Sequence, residues 1–264
     1  MADEQVTLGF IGFGNMARAM AKGLVESGSL PGERIWATAA HFDKLEANTA
    51  ALGAHACATA REVVEASDFV VIAVKPYLVK SVVEPVRDLL ADRAVISVAA
   101  GCDFAFFEDV LAPGTHHLST IPNTPIAVGA GVIACERIHS LSDEEFSAFS
   151  QMFGPIALLE TVETAQLSTA SSIAGCGPAF AAMFLEALGD AGVKHGLPRA
   201  TAYRLAAQMM AGTAKLHLET GEHPGAMKDA VCSPGGTTIK GVASLEKDGF
   251  RGTVVNAIDA IEGR

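Results

Sequence analysis

Near the C-terminal end of the chain, Cys232 to Gly241 read CSPGGTTIKG, directly ahead of an apolar-periodic segment. Gly is a poor helix former and Thr a middling one. Their clustering where a helix is due to begin therefore points beyond propensity. A loop that opens a helix leaves main-chain N–H groups pointing outward. Glycines let a ligand come close to that backbone, and a threonine hydroxyl adds a directional hydrogen bond. The same residues also suit an ordinary turn with an N-cap, and by themselves they do not separate the two readings.

A second stretch at the opposite end carries a sharper signal. The apolar run VTLGFI (6–11) leads into Gly12-x-Gly14-x-x-Ala17, and Ala17, Met20, Ala21 and Leu24 then share one helical face. This is a dinucleotide fingerprint with Ala at its third small position. Gly12 permits the tight turn, Gly14 lets the backbone approach a pyrophosphate, and Ala17 lets the helix pack on the strand. The phosphates then sit on the helix N-terminus, where free N–H groups and the dipole favour negative charge.

The elements that must position these residues follow in alternation. Further strands are expected at 34–39, 68–76, 93–101 and 116–122, with helical stretches such as 43–52 and 78–91 between them. That pattern implies a parallel sheet with helices on both faces. Ligands of such sheets bind beyond the carboxyl ends of the strands. Three of those ends are rich in small, Pro or amide residues: AVKP (73–76), VAAG (98–101) and IPNTP (121–125). The candidate cofactor residues are therefore Ile11, Gly12, Phe13, Gly14, Asn15 and Met16 at the turn, Thr38 at the second strand end, Ala73, Val74, Lys75 and Pro76, then Ala99 and Ala100, then Asn123. Lys75 is a candidate counter-charge, and Asn123 a candidate donor to the nicotinamide amide or its ribose. The second strand ends in Thr38-Ala39-Ala40 with no carboxylate before Asp43 and no Arg. An acid there would select NAD, so its absence favours NADP, with Thr38, His41 and Lys44 as candidate donors.

From about residue 163 the strand pattern stops. Helices are expected over 177–196, 198–221, 224–232, 237–248 and 251–262. They divide the chain into a nucleotide-binding domain, 1–162, and a helical domain, 163–264. The helix at 177–196 is apolar on nearly all sides and needs cover, and the simplest cover is a second copy of the same domain. Small residues there allow close helix approach.

Composition narrows the partners. The 264 residues are 50% hydrophobic and 19% charged, with a formal net charge of −11. No basic block occurs, so nucleic acid and anionic membrane surfaces are not expected as partners. An anionic ligand must be held by local donors against the global field. Apolar runs such as FVVIAV (69–74) are too short to span a bilayer, and the acidic N-terminus does not read as a signal peptide. The five cysteines show no CxxC pairing, which fits reduced thiols in a cytoplasm. No metal set is expected, and His116 and His117 should point to opposite faces of a strand.

Taken together, GFIGFGNMARAMAKGL, AVKP, SVAAG, IPNTP, GCGPAF, EALGDAGVKHGLPR and HPGAMKDAVCSPGGTTIKGVASLEKDGFR resemble the pyrroline-5-carboxylate reductase family almost end to end. The resemblance implies an N-terminal Rossmann-type doubly wound sheet followed by an all-α dimerisation domain. It implies a homodimer that assembles further, to a decamer, and reduction of a small cyclic imine by NAD(P)H. It also implies that Gly235, Gly236, Thr237 and Thr238 hold the substrate carboxylate on backbone N–H groups, with Thr238 facing the ring nitrogen as the catalytic residue. Ser119, Ser168 and Cys176 stand where the family commonly has Arg, Asp and Ser, and the second strand lacks its usual Ser-Asn-Arg-like patch. These departures keep two other readings open: a reductase of another cyclic imine, and a nucleotide-binding regulator without catalysis.

Overall fold

The computed structural model describes residues 6–263. By contacts they form two compact units that divide between Pro178 and Ala179.

The first unit is built on one eight-stranded sheet. Its strands are β1 (Leu8–Ile11), β2 (Ile35–Thr38), β3 (His55–Ala56), β4 (Phe69–Ile72), β5 (Ala94–Ser97), β6 (His117–Pro122), β7 (Gly131–Glu136) and β8 (Ala157–Val162), in the spatial order 3-2-1-4-5-6-7-8. From β3 to β6 all neighbours are parallel. β7 runs antiparallel to β6, and β8 runs parallel to β7. The helices of this unit are α1 (Asn15–Ser27), α2 (Phe42–Ala50), α3 (Ala60–Glu65), α4 (Val79–Val83), α5 (Arg87–Leu90), α6 (Phe104–Val110), α7 (Asp143–Phe153) and α8 (Leu167–Ala170).

The continuous apolar strands have a direct cause. Successive side chains of a strand leave opposite faces, and here both faces are covered. Phe69 and Val71 join one buried cluster with Phe10, Met20, Leu24 and Phe153. Val70 and Ile72 join another with Val83, Leu90 and Phe107. The predicted face of α1 is the buried one: Ala17, Met20, Ala21 and Leu24 are all inside.

Differences from the sequence reading have identifiable reasons. The helical stretch expected at 78–91 is broken at Glu84–Val86, where Pro85 cannot donate to the helix ladder. β3, β7 and β8 were not expected. β3 is only two residues long, and β8 is a half-exposed edge strand whose sequence ALLETV does not alternate cleanly. Residues 163–178 follow the last strand but stay with the first unit by contacts, in α8 and a π-helical turn, Ser171–Gly175, that touches β6. His116 and His117 diverge as their adjacency requires. His117 is buried and meets Glu108 at 2.8 Å, while His116 is exposed and meets Glu145 at 2.7 Å.

The second unit consists of α9 (Gly177–Lys194), α10 (Arg199–Thr220), α11 (Pro224–Ala230), α12 (Thr237–Lys247) and α13 (Phe250–Glu262), within two residues of the expected spans at most ends. Small residues bring α9 against α10. A methyl on Gly189 would stand 2.2 Å from the Tyr203 ring, and one on Gly192 would stand 2.7 Å from Ala202. Much apolar surface is nevertheless left open on this unit, including Met183, Leu205, Leu218 and Val255. Because the helical turns ahead of α9 run into it, Thr164–Lys194 form one helical run of 31 residues, within which an 18-residue stretch reaches a mean hydropathy of 1.3. By length and composition alone that run is long and apolar enough to cross a bilayer, whereas the sequence expectation rested on contiguous apolar runs such as FVVIAV being too short.

Candidate functional site: a dinucleotide groove and a glycine-threonine loop

β1 has β2 on one side and β4 on the other, so the strand order reverses at its end. A crevice opens there by topology. The turn that follows is tied to both neighbours: the Gly12 N–H donates to the Thr38 carbonyl at 2.9 Å, and the Ala73 N–H donates to the Ile11 carbonyl at 2.9 Å. Gly12 has φ +96°, and a methyl on it would lie 2.7 Å from the Ala73 carbonyl oxygen. Only glycine suits that position. Gly14 caps α1 in extended geometry, with nothing within 4 Å of where its Cβ would be. No side chain bonds the first N–H groups of α1. By contrast, Thr59, Asp103 and Ser142 close the N-termini of α3, α6 and α7.

In front of this turn lies a groove of about 750 Å³. Of the residues expected to meet a cofactor, Gly12, Phe13, Gly14, Asn15, Met16, Ala73, Val74, Lys75, Pro76, Ala99 and Ala100 line it. Ile11 and Thr38 lie just outside, paired with each other at the buried strand ends. Asn123 also lies outside the lining, next to Thr124, which is part of it. The Asn123 amide is engaged at both ends, donating to the Ala174 carbonyl at 3.0 Å and accepting from the Val132 N–H at 2.9 Å. His41 and Lys44 line the groove as well.

Among the lining residues that were missed, two carry a charge or an amide, Arg18 and Asn48. Arg18 was legible as the residue one turn beyond Asn15 in α1. Asn48 becomes relevant only when α2 folds against that turn. The lining holds Arg18, Lys44, Lys75 and His41 and no carboxylate, in a chain with 30 acidic and 19 Lys or Arg residues. That local reversal of charge, together with a free helix N-terminus and an open cradle at Gly14, fits a dinucleotide pyrophosphate.

The second candidate site is local to the second unit. Gly235 has φ +69°, and the Gly236 N–H donates to the Ser233 carbonyl at 3.0 Å, closing a turn. Gly236 is then the N-cap of α12, without a side-chain cap bond. A methyl on it would come within 2.4 Å of Ser233 Oγ. Thr237 and Thr238 follow in the first turn, both exposed. The main-chain N–H groups of this turn have no intrahelical acceptor. Gly235, Gly236, Thr237 and Thr238 are thus gathered at one helix start that offers donors and a hydroxyl to a small anion. Of the cations near this loop in sequence, Lys228 is paired with Asp229 and Arg251 with Glu246.

Elsewhere the titratable groups argue for inert packing. Burial pushes the Cys135 thiol up to about 12, and burial likewise raises Cys57 and Cys102. No group of three His, Cys, Asp or Glu side chains suited to a metal occurs among the described residues.

Comparison with known proteins bears on both units. Residues 164–264 match the family model for pyrroline-5-carboxylate reductase dimerisation, which covers the exposed apolar helices. Residues 7–101 match the model named NADP oxidoreductase coenzyme F420-dependent. The pyrroline-5-carboxylate reductase of Treponema pallidum is 44% identical over 97% of this chain and 98% of its own length. That of Escherichia coli is 40% identical over 95% and 94%. Among solved structures, the Coxiella burnetii pyrroline-5-carboxylate reductase superposes with a TM-score of 0.86 at 31% identity, covering 98% of this chain and 96% of its own. A Plasmodium falciparum pyrroline carboxylate reductase, solved with NADP bound, gives 0.86 at 28% identity over the same shares. A fingerprint groove at one end, a glycine-threonine helix start at the other and relatives that match nearly the whole length place the chain in the pyrroline-5-carboxylate reductase family.

Proposed function

We propose that this chain reduces 1-pyrroline-5-carboxylate to L-proline with NADPH as the preferred hydride donor, as a homodimer or a larger assembly of dimers in the cytoplasm. The observation that carries the reading is near-full-length identity to reductases of that name, with the Gly235–Thr238 helix start intact.

The reaction adds a hydride to the imine carbon and a proton to the nitrogen. A reduced dinucleotide held in the groove would supply the hydride. Gly12, Phe13, Gly14, Asn15 and Met16 would hold its pyrophosphate, with Ile11 and Thr38 fixing their turn from the strand ends. Ala73, Val74, Lys75, Pro76, Ala99, Ala100 and Asn123 form or brace the opposite wall. The main-chain N–H groups left free at the Gly235–Thr238 helix start would take the substrate carboxylate, with Gly236 shaping the turn through its bond to Ser233, and an acidic protein can capture a carboxylate on such dipoles without a basic patch. Thr238 Oγ orients the ring nitrogen. A hydroxyl is too weak an acid to serve as a strong proton donor near neutrality, so the substrate enters as the iminium and Thr238 acts by positioning.

The end of β2 permits NADPH, because Thr38-Ala39-Ala40 offer no carboxylate to repel a 2′-phosphate. The test is a spectrophotometric assay with pyrroline-5-carboxylate and each reduced cofactor. The expected result is substrate-dependent oxidation of NADPH with proline as product, slower with NADH. An absence of turnover with both cofactors contradicts the reading.

A further inference from the structure

We propose that Arg18 and Lys44 clamp the adenosine 2′-phosphate of the dinucleotide, so that the discrimination between NADPH and NADH is supplied by α1 and α2 rather than by the end of β2. The inference rests on the dinucleotide groove assigned above and names the groups that select its ligand.

The partners of Arg18 set it apart from the other arginines. Arg61, Arg137, Arg199 and Arg251 each meet a carboxylate, and Arg87 and Arg93 meet main-chain carbonyls. Arg18 instead donates through Nη1 to Asn48 Oδ1 at 3.1 Å and through Nη2 to Asn15 Oδ1 at 3.1 Å. Two neutral amides thus fix the guanidinium plane without offsetting its charge. The remaining N–H donors stay available, in the fork geometry that suits phosphate. Asn15 comes from the first turn of α1 and Asn48 from α2, so the bracket spans the mouth between the two helices.

Lys44 lines the same groove from the first turn of α2, beside His41. Neither Arg18 nor Lys44 has a carboxylate partner among the described residues. Asp43, the neighbour of Lys44 in sequence, is not part of the lining. The start of α2 carries no side-chain cap, so its helix end adds to the same positive corner. Two uncompensated cations on one wall, in a protein of net charge −11, suit a doubly charged group. The 5′-phosphates already have the α1 N-terminus, and the adenosine end of the dinucleotide lies towards β2 in a sheet of this kind. The group left for Arg18 and Lys44 is the 2′-phosphate.

The test measures binding of adenosine 2′,5′-bisphosphate and of 5′-AMP by calorimetry to the intact protein and to Arg18→Gln and Lys44→Gln. Thermal denaturation checks that the variants are folded. The expected result is a loss of affinity for the bisphosphate of about tenfold or more in each variant, the scale of a charge-assisted hydrogen bond, with a much smaller loss for 5′-AMP. Equal losses for the two ligands in both variants overturn the clamp, as does unchanged bisphosphate binding in both. The readout needs no imine. A protein that binds the bisphosphate through Arg18 but turns over no pyrroline-5-carboxylate would refute the proposed activity and leave the clamp standing.

Discussion

The side-chain amide of Asn123 donates to the main-chain carbonyl of Ala174 at 3.0 Å while its Oδ1 accepts from the Val132 N–H at 2.9 Å. One buried residue thus joins the end of β6, the returning strand β7 and the π-helical turn ahead of α9. A π-helical turn breaks the regular i→i−4 ladder, and Asn123 supplies the Ala174 carbonyl with a donor from outside it. Replacement by Ala strands a carbonyl on one side and an amide on the other. Asn123→Ala is expected to lose about 1–3 kcal/mol of stability by denaturant titration. Asn123→Asp, which keeps the acceptor and turns the donor into a carboxylate facing a carbonyl, should lose at least as much. A Tm unchanged in both variants would remove the bracing role.

Gly12 and Gly14 carry different constraints, and paired alanine variants should separate them. At Gly12 a methyl meets the Ala73 carbonyl at 2.7 Å and Val74 Cγ1 at 2.8 Å, with φ at +96°. Gly12→Ala should therefore destabilise the fold by roughly 1–3 kcal/mol and weaken dinucleotide binding as a consequence. At Gly14 the same methyl meets nothing within 4 Å, and the backbone is ordinary. Gly14→Ala should keep the parent Tm and still lose about tenfold in dinucleotide affinity, because the methyl fills the space the pyrophosphate needs. Calorimetry on both proteins checks the split.

Thr238 is exposed at the start of α12, so its removal should leave stability alone. Thr238→Ala is expected to lower kcat/KM for the imine by about tenfold or more, the scale of one good hydrogen bond. Thr238→Ser, which keeps the hydroxyl, should recover most of that loss. Steady-state constants equal to the parent in the Ala variant would exclude the assigned role.

Cys135 links stability to alkaline pH. Its folded thiol is held neutral by burial up to about 12, against 9.0 for an ordinary cysteine. The folded state then binds a proton that the unfolded chain releases. The contribution is complete below pH 9 and is lost as pH rises towards 12. Cys57 and Cys102 are shifted in the same direction. Cys135→Ala should cost about 1 kcal/mol at neutral pH through lost packing. Its Tm should also fall less steeply than the parent's above pH 9 in a denaturation series. Parallel curves would contradict the burial argument.

Met183 and Leu218 are more than two-thirds exposed on the helices that the dimerisation model covers. A charge placed in a desolvated apolar contact is strongly unfavourable. Met183→Glu combined with Leu218→Lys should shift the protein from dimer to monomer at micromolar concentration in sedimentation velocity. An unchanged sedimentation profile would move the interface to another face of these helices.

The amino-acid sequence alone determined the parts of this protein that are written locally. The fingerprint at Gly12–Ala17, the both-faces-buried strand FVVI, the buried stripe of α1 and the helix start at Gly235–Thr238 each depend on residues a few positions apart, so spacing sufficed to find them. The tertiary structure decided what depends on distant pairings. The antiparallel return of β7 is set by register against β6, opposite Thr120, Ile121 and Pro122, and no short-range pattern announces it. Asn123 reaches a carbonyl 51 residues away. The end of β2 carries no arginine. The fold instead brings Arg18 to the groove from α1 and holds it with an asparagine 30 residues further on. A side chain's neighbours across a sheet or between two helices are chosen by the packing of whole elements, and that choice is made only when the chain closes on itself.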